Sequence, residues 1–176
     1  MVSANKTGNR VFGIVGWKNS GKTTLTERLV SALTRRGYSV STVKHAHHAF
    51  DIDKPGTDSF RHRAAGAGEV AIVSASRWAL MHELHDQDEP TLDDVLARLS
   101  PCDIVLVEGY KRGHHTKIEA RRLEAKEHAS LAVKDPHIVA VAADHPVTGE
   151  ALPIFSLDDI EAIADFIETA TGLKKN

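Results

Sequence analysis

The stretch of this sequence with the clearest chemistry is a short segment near the N-terminus that is rich in glycine and lysine. Residues 16–23 read Gly-Trp-Lys-Asn-Ser-Gly-Lys-Thr and match G-x-x-x-x-G-K-[ST], the phosphate-binding loop, at every fixed position. In such a loop the backbone N–H groups surround a phosphate, the lysine reaches the β- and γ-phosphates, and the threonine hydroxyl binds Mg²⁺. We therefore predict a site for a nucleoside triphosphate, formed by Gly16, Trp17, Lys18, Asn19, Ser20, Gly21, Lys22, Thr23 and Thr24.

The segments on either side of this loop predict the elements that hold it. Residues 11–15 form an apolar run typical of a buried strand. Leu25, Leu29 and Leu33 recur every four residues, which indicates one face of a helix. The alternative, a chance glycine–lysine turn, does not account for this flanking pattern.

A triphosphate site also needs carboxylates for its metal ion at the ends of strands. Residues 104–107 are continuously apolar, as in a central parallel strand, and Glu108 follows them. We predict that Glu108 opens into the site as a metal ligand and that Lys22 and Glu108 are the catalytic residues. The alternative is a solvated carboxylate at a strand end.

The predicted second strand, residues 39–44, leads into a polar loop that should border the same site. Lys44 either adds positive charge to the phosphate pocket or is an ordinary solvated lysine. Asp53 lies in the loop, and Asp58 opens the next helix, where it serves either the metal site or as the helix N-cap.

A candidate for base recognition comes late in the chain. No N-K-x-D motif, the usual guanine-reading sequence of small GTPases, follows a strand. Asp144, however, follows the apolar strand predicted at residues 138–142. Because a carboxylate can accept two hydrogen bonds from the edge of guanine, Asp144 is the predicted guanine-binding residue.

Eleven histidines, three groups of which lie close together in sequence, raise the question of a metal site. No pair has an established zinc spacing, and the single cysteine, Cys102, rules out a cysteine-based site within one chain. Contacts to an anionic ligand remain the other interpretation. The groups are His45, His47 and His48; His82 and His85; and His114 and His115.

Length and composition bound the class of protein. The 176 residues suit one domain, residues 1–176, and the net charge of −2 gives no sign of nucleic-acid binding. No apolar run approaches the roughly 20 residues that span a membrane, and residues 1–10 lack the apolar core of a secretory signal. We expect a cytoplasmic protein with no nucleic acid and no membrane as partner.

The alternation of predicted strands and helices indicates an α/β fold. We expect a doubly wound, mostly parallel sheet of the phosphate-loop NTPase type, with helices on both faces.

Taken together, four blocks of the sequence resemble a known family, the molybdopterin-guanine dinucleotide biosynthesis protein B (MobB) family. The likeness extends from residue 11 to about residue 144, and its D-x-D-K-P-G-x-D-S block is far more specific than the phosphate-binding loop. The blocks are residues 15–24, 43–45, 50–67 and 107–111.

The resemblance implies a GTP-binding homodimer with weak GTPase activity that assists the guanylyltransferase joining GMP to molybdopterin. It also implies extra strands that extend the sheet and pair across the dimer, here around residues 70–83. On this basis the phosphate of the pterin would meet Lys54 and nearby histidines, and the expected contacts are Lys44, His45, Asp53 and Lys54.

In two features, the glutamate at a strand end and the aspartate in a loop, the chain is also similar to dethiobiotin synthetase, which uses ATP. By that analogy Thr23, Asp58 and Glu108 would surround Mg²⁺. The alternative function is therefore a stand-alone, ATP-dependent kinase or ligase acting on a small molecule.

Overall fold

The computed structural model describes residues 9–46 and 50–174. In chain order the elements are β1 (Arg10–Val15), α1 (Lys22–Arg35), β2 (Val40–Lys44), α2 (Asp58–Ala64), β3 (Glu69–Val73), β4 (Trp78–His82), α3 (Leu92–Leu96), β5 (Ile104–Glu108), β6 (Lys117–Arg121), β7 (Ile138–Ala143), β8 (Ile154–Ser156) and α4 (Ile160–Thr171). The chain separates into two compact units, with boundaries after His45 and after Thr91. The expected single domain with an inserted dimerising segment stays a prediction.

The first unit contains a six-stranded sheet with the order β2-β5-β1-β6-β7-β8. All of its strand pairs are parallel. The chain leaves β1 toward β2 on one side and later returns to β6, β7 and β8 on the other. The crevice at the carboxyl end of β1 is therefore where a doubly wound sheet binds its ligand. The expected α/β fold with a mostly parallel sheet is confirmed.

Helices α1 and α4 cover one face of this sheet. The apolar positions predicted to form the inner face of α1 are buried, and α4 contributes Ile163 and Ile167 to the same cluster. From the sheet, Phe12 and Ile14 of β1 pack against them and are fully buried. Alternate residues of β1 therefore form a dry core on the side where α1 begins.

The opposite face has a smaller apolar cluster under the short helix α3. Val11 of β1 and Val105 and Val107 of β5 pack there with Leu96. The expected arrangement, with helices on both faces, is therefore present.

Farther along this second face, β6 buries two opposite charges instead of apolar side chains. Lys117 is 0% exposed and donates a hydrogen bond to the carboxylate of Asp135. Glu119 is 1% exposed and accepts hydrogen bonds from the backbone N–H groups of Leu131 and Ala132. Because buried charges are tolerated only when paired, these contacts fix the irregular segment that follows β6 onto the sheet.

The second unit consists of α2 and an antiparallel hairpin of β3 and β4. In this hairpin Val73 pairs with Trp78, and Ala71 pairs with Leu80. These two pairs lie on the same face of the hairpin, where the side chains of Val73, Trp78 and Leu80 are between 50% and 75% exposed. An exposed apolar face of this kind is typical of a surface that contacts another protein.

Side chains cap two of the helices. Thr57 caps α2, since its hydroxyl accepts a hydrogen bond from Phe60 N–H, so the alternative that Asp58 is the N-cap is wrong. Asp159 caps α4, since its carboxylate accepts a hydrogen bond from Ala162 N–H. In both cases the side chain that caps is the one immediately before the first helical residue.

No helix in the described ranges, residues 9–46 and 50–174, combines the length and the apolar character that crossing a bilayer requires.

Candidate nucleotide-binding site

The phosphate-binding loop joins β1 to α1 with a backbone that only glycine can adopt at two points. Gly16 has a φ of 154°, and a β-carbon there would lie 2.3 Å from the Ser20 hydroxyl and 2.5 Å from the Ala120 carbonyl oxygen. Gly21 has a φ of 87° and immediately precedes α1. No side chain caps this helix, and its first turn contains no acidic residue. Its N-terminal N–H groups are therefore suited to bind an anion.

Lys22 reaches back across the loop. Its ammonium group donates a hydrogen bond of 2.7 Å to the carbonyl oxygen of Trp17. Burial lowers the pKa of Lys22 from its ordinary value, Glu108 opposes this effect, and the charges of Lys111 and Lys44 lower the pKa further. The convergence of three lysines gives this region the positive charge that a polyphosphate requires.

Trp17 ties the loop to two neighbouring segments. Its indole N–H donates a hydrogen bond of 2.7 Å to Ala129, and Lys111 lies over its ring at 4.0 Å from the centroid. Burial also lowers the pKa of Lys111. The side chain of Trp17 therefore contacts segments outside the loop, while Lys22 hydrogen-bonds to a carbonyl within the loop.

The predicted metal-binding residues Thr23 and Glu108 are in direct contact. The Thr23 hydroxyl donates a hydrogen bond of 2.8 Å to Glu108 Oε1, and Glu108 is 8% exposed. In the sheet, Glu108 pairs with Ile14 of β1 and Lys44 of β2. Since this places its carboxylate beside the start of α1, the alternative of a solvated strand-end residue is wrong for Glu108.

Lys44 and His45 lie at the same edge of the sheet. Lys44 Nζ is 3.4 Å from Glu108 Oε1 and 3.5 Å from the Thr23 hydroxyl oxygen. The backbone N–H of His45 donates to the carbonyl of Glu108, and the His45 ring lies 4.6 Å from that of Tyr110. Lys44 is thus part of the charged cluster, whereas contacts of Lys44 and His45 with a pterin or phosphate stay predictions.

A hydroxyl and a carboxylate oxygen are donors that suit Mg²⁺, which commonly takes one or two carboxylates with phosphates and waters. Thr23 and Glu108 supply these two donors. Among the residues described, no group of three or more His, Cys, Asp or Glu side chains is arranged to hold a metal by itself. The donor set at Thr23 fits an ion that is shared with a phosphate rather than one held by the protein alone.

In the second unit, Asp53 is part of a cluster that sequence reasoning missed. The guanidinium of Arg63 donates to the carboxylates of Asp51, Asp53 and Glu83 at 2.9–3.1 Å. Asp53 also accepts a hydrogen bond of 2.7 Å from Ser59. These contacts hold residues 51–59 in one conformation. In the sequence, the only indication of this cluster is that Arg63 lies in the helix that follows Asp51 and Asp53.

Asp58 and Lys54, also in the second unit, are exposed. The Asp58 carboxylate lies 3.9 Å from Arg61, one turn later in α2. The predicted role of Asp58 as a metal ligand and that of Lys54 as a phosphate contact stay predictions, as does the contact of Asp53 with a pterin or phosphate.

Asp144 directly follows β7, as predicted, and hydrogen bonds from its neighbours orient its carboxylate. Its Oδ1 accepts hydrogen bonds from His145 Nδ1 at 2.8 Å and from Leu123 N–H at 3.1 Å. The hydrogen bond with His145 is the largest effect that lowers the pKa of Asp144. His145 also lines a cavity of about 30 Å³ together with Trp17 and Ser20. The end of β7 and the phosphate-binding loop therefore border the same space.

The histidine groups do not form a common site among the described residues. His82 pairs with Glu69 at 2.8 Å, and His114 lies 3.3 Å from His137. His47 and His48 lie outside the described residues.

Comparison with known proteins places this chain in a family. The family model described as molybdopterin guanine dinucleotide synthesis protein B matches residues 11–144. The chain is 39% identical to the molybdopterin-guanine dinucleotide biosynthesis adapter protein of Escherichia coli (strain K12), covering 93% of this chain and 94% of that protein. It is 38% identical to the protein of the same name from Haemophilus influenzae, covering 90% and 87%.

Solved structures agree with these relatives. The crystal structure of a MobB protein homolog from Bacillus stearothermophilus superposes with a TM-score of 0.70 at 35% identity and covers 93% of this chain and 99% of that one. The fold is that of an α/β protein in which a G-x-x-x-x-G-K-[ST] sequence joins the first strand to the first helix. The chain belongs to the molybdopterin guanine dinucleotide synthesis protein B family.

One histidine near the site, whose ring nitrogens are buried, leads to a testable pH effect. The ring of His115 packs against Gly13 of β1, where a β-carbon would lie 2.4 Å from Nε2. Both ring nitrogens are buried and have no hydrogen-bond partner among the described residues. Burial, assisted by the charge of Lys117, lowers the pKa of His115 from 6.5 to about 4.

We expect His115 to make the fold less stable in acid. Between these two pKa values the unfolded chain binds a proton at His115 and the folded chain does not. The free energy of unfolding therefore falls by up to about 3 kcal/mol as the pH falls through this window. Urea unfolding at pH 7.5 and pH 4.5 should show a smaller loss in His115→Leu than in the wild type. His62→Leu, at an exposed histidine, is the control. Equal losses in His115→Leu and the wild type would contradict this assignment.

Proposed function

We propose that this protein binds GTP with Mg²⁺ and acts as an adapter in molybdenum cofactor biosynthesis, assisting the attachment of GMP to molybdopterin. The observation that carries the proposal is the phosphate-binding loop with Thr23 bonded to Glu108, in a chain that belongs to this family. The relatives' printed name, molybdopterin-guanine dinucleotide biosynthesis adapter protein, supports the role in the pathway.

In this proposal each residue of the loop has a defined task. The N–H groups at the start of α1 bind the phosphates, and Lys22 places its charge beside the β- and γ-phosphates. Thr23 and Glu108 would hold Mg²⁺, which supplies charge neutralisation when bound. Glu108 also orients the Thr23 hydroxyl. Any GTP hydrolysis is slow, and Lys22 and Glu108 are the residues on which it depends.

The proposed partners are a second copy of this chain, molybdopterin and the molybdenum cofactor guanylyltransferase, in the cytoplasm. The apolar face of the β3–β4 hairpin supports the homodimer, because such a face is usually buried against another chain. Residues 51–58, held by Arg63, are the proposed pterin-facing loop.

The alternative, an ATP-dependent kinase or ligase, differs in the nucleotide that it binds. A thermal-shift titration of GTP against ATP with Mg²⁺ distinguishes the two, since only a bound nucleotide raises the melting temperature. Stabilisation by ATP but not by GTP would replace the present proposal with the alternative.

The first prediction concerns Lys22. Lys22→Ala removes the positive charge from the β- and γ-phosphates. We therefore expect GTP affinity to fall at least tenfold, which is about 1.4 kcal/mol, by isothermal titration calorimetry. Lys134→Ala, at an exposed lysine, should bind GTP like the wild type. An unchanged Kd in Lys22→Ala would contradict the assignment of the loop.

The second prediction concerns the base. Asp144→Asn replaces an acceptor of two guanine N–H groups by an amide. It should remove a preference for GTP over ATP on the order of 1–3 kcal/mol while phosphate binding is retained. Competition binding of GTP and ATP measures this preference, with Asp88→Asn as the exposed control. The same selectivity in Asp144→Asn and the wild type would assign base recognition to another residue.

The third prediction concerns assembly. Leu80→Asp places a charge on the exposed apolar face of the hairpin. It should convert dimers to monomers in light scattering and weaken stimulation of guanylyltransferase output. Val133→Asp, at an apolar residue that is 80% exposed in the first unit, should remain dimeric. A wild-type chain that is monomeric at micromolar concentration would count against the dimer.

A further inference from the structure

Arg122 lies against the phosphate-binding loop on the side of β6. It is the first residue after that strand, which ends at Arg121. A β-carbon on Gly21 would lie 3.0 Å from Arg122 Nε and 3.6 Å from Cζ. The guanidinium is therefore packed on the backbone of the residue that directly precedes Lys22 and opens α1.

Within the part of the chain that the structure describes, this guanidinium has no charged partner. Arg122 Nε is buried and has no hydrogen-bond partner, and no carboxylate within the described ranges forms an ion pair with Arg122. Its neighbour Arg121 differs, since its guanidinium donates to Glu119, Glu150 and Ser130 at 2.7–2.8 Å. A partly buried cation without an anion costs free energy, and an anionic ligand bound to Arg122 would offset that cost.

The two carboxylates that line the same cavity as Arg122 do not provide that ligand. Glu119 and Glu127 line the same small cavity as Arg122. Glu119, however, is bonded to Arg121 and to two backbone N–H groups. Glu127 is exposed and acts electrostatically on Lys111. The anion that suits Arg122 therefore comes from outside this part of the chain.

We propose that Arg122 binds the α- and β-phosphates of the nucleotide, as a second cation beside Lys22. The inference rests on the proposed function, since it requires a nucleotide in the loop. In a phosphate-binding loop the backbone around Gly21 holds the α- and β-phosphates, and the lysine that follows reaches the β- and γ-phosphates. A guanidinium at Gly21 thus faces the part of the polyphosphate that Lys22 leaves less neutralised. Its planar donors match phosphate oxygens in pairs.

The proposal distinguishes Arg122 from a residue that only shapes the loop. A phosphate-binding arginine contributes an ionic contact, so its removal weakens GTP and GDP binding alike and makes both less sensitive to salt. A residue that only packs on Gly21 would change the melting temperature of the protein and leave the salt dependence of nucleotide binding unaltered.

The test compares the wild type with Arg122→Gln, Arg122→Lys and, as a control for net charge, Arg98→Gln at an exposed arginine. The measurements are the Kd of GTP and GDP with Mg²⁺ by calorimetry at several KCl concentrations, and the melting temperature without nucleotide. We expect Arg122→Gln to weaken the binding of both nucleotides at least tenfold, with a shallower salt dependence and a melting temperature no lower than that of the wild type. The nucleotide affinity of Arg122→Lys should lie between those of the wild type and Arg122→Gln. The affinity of Arg98→Gln should match that of the wild type.

Wild-type affinity and salt dependence in Arg122→Gln would overturn this inference and leave the proposed function intact. Weaker binding with the wild-type salt dependence and a lowered melting temperature would also overturn it, because Arg122 would then be a packing residue. A wild-type protein that binds neither GTP nor GDP would overturn the proposed function and this inference with it.

Discussion

The turn from β1 into α1 is made without room for a side chain at Gly16, because the Ser20 hydroxyl and the Ala120 carbonyl occupy the space that a β-carbon would take. The start of the loop is consequently packed closely against β6. The rest of the site depends on this close approach. It fixes where α1 begins, and so where uncapped N–H groups, the Lys22 ammonium and the Thr23 hydroxyl lie.

The parallel sheet then brings the matching groups to that point. Glu108 pairs in register with Ile14 of β1 and Lys44 of β2, so its carboxylate ends beside the first turn of α1. The hydrogen bond from Thr23 joins helix and sheet there. The carboxylate of Glu108 thus lies near two lysines, Lys22 and Lys44, and the Thr23 hydroxyl. A nucleotide with its metal ion would therefore meet both negative and positive groups rather than a purely basic surface.

The sequence predicts those parts of the site in which chemistry and local pattern coincide. The glycine loop, the helix of α1 and the apolar strand before Glu108 can each be recognised from a short stretch of consecutive residues. The Arg63 cluster and the buried charges of β6 could not be recognised in this way. A Lys-Ile-Glu-Ala-Arg strand has the pattern of a half-exposed strand, and only the fold brings Asp135 and two backbone amides to Lys117 and Glu119. The position of Arg122 likewise becomes significant only through its contact with Gly21, which lies about a hundred residues earlier in the chain.

The buried charges of β6 have a consequence for how this protein can change in evolution. Replacing Lys117 alone would leave the carboxylate of Asp135 without its cation, and replacing Glu119 alone would leave two backbone amides without an acceptor. Either single step is costly. A joint replacement of Lys117 and Asp135 by apolar residues avoids an unpaired buried charge, whereas the two backbone amides at Glu119 need an acceptor whatever the side chains are. The attachment at Lys117 and Asp135 can therefore change only in concert, and the attachment at Glu119 only to another side chain that accepts hydrogen bonds.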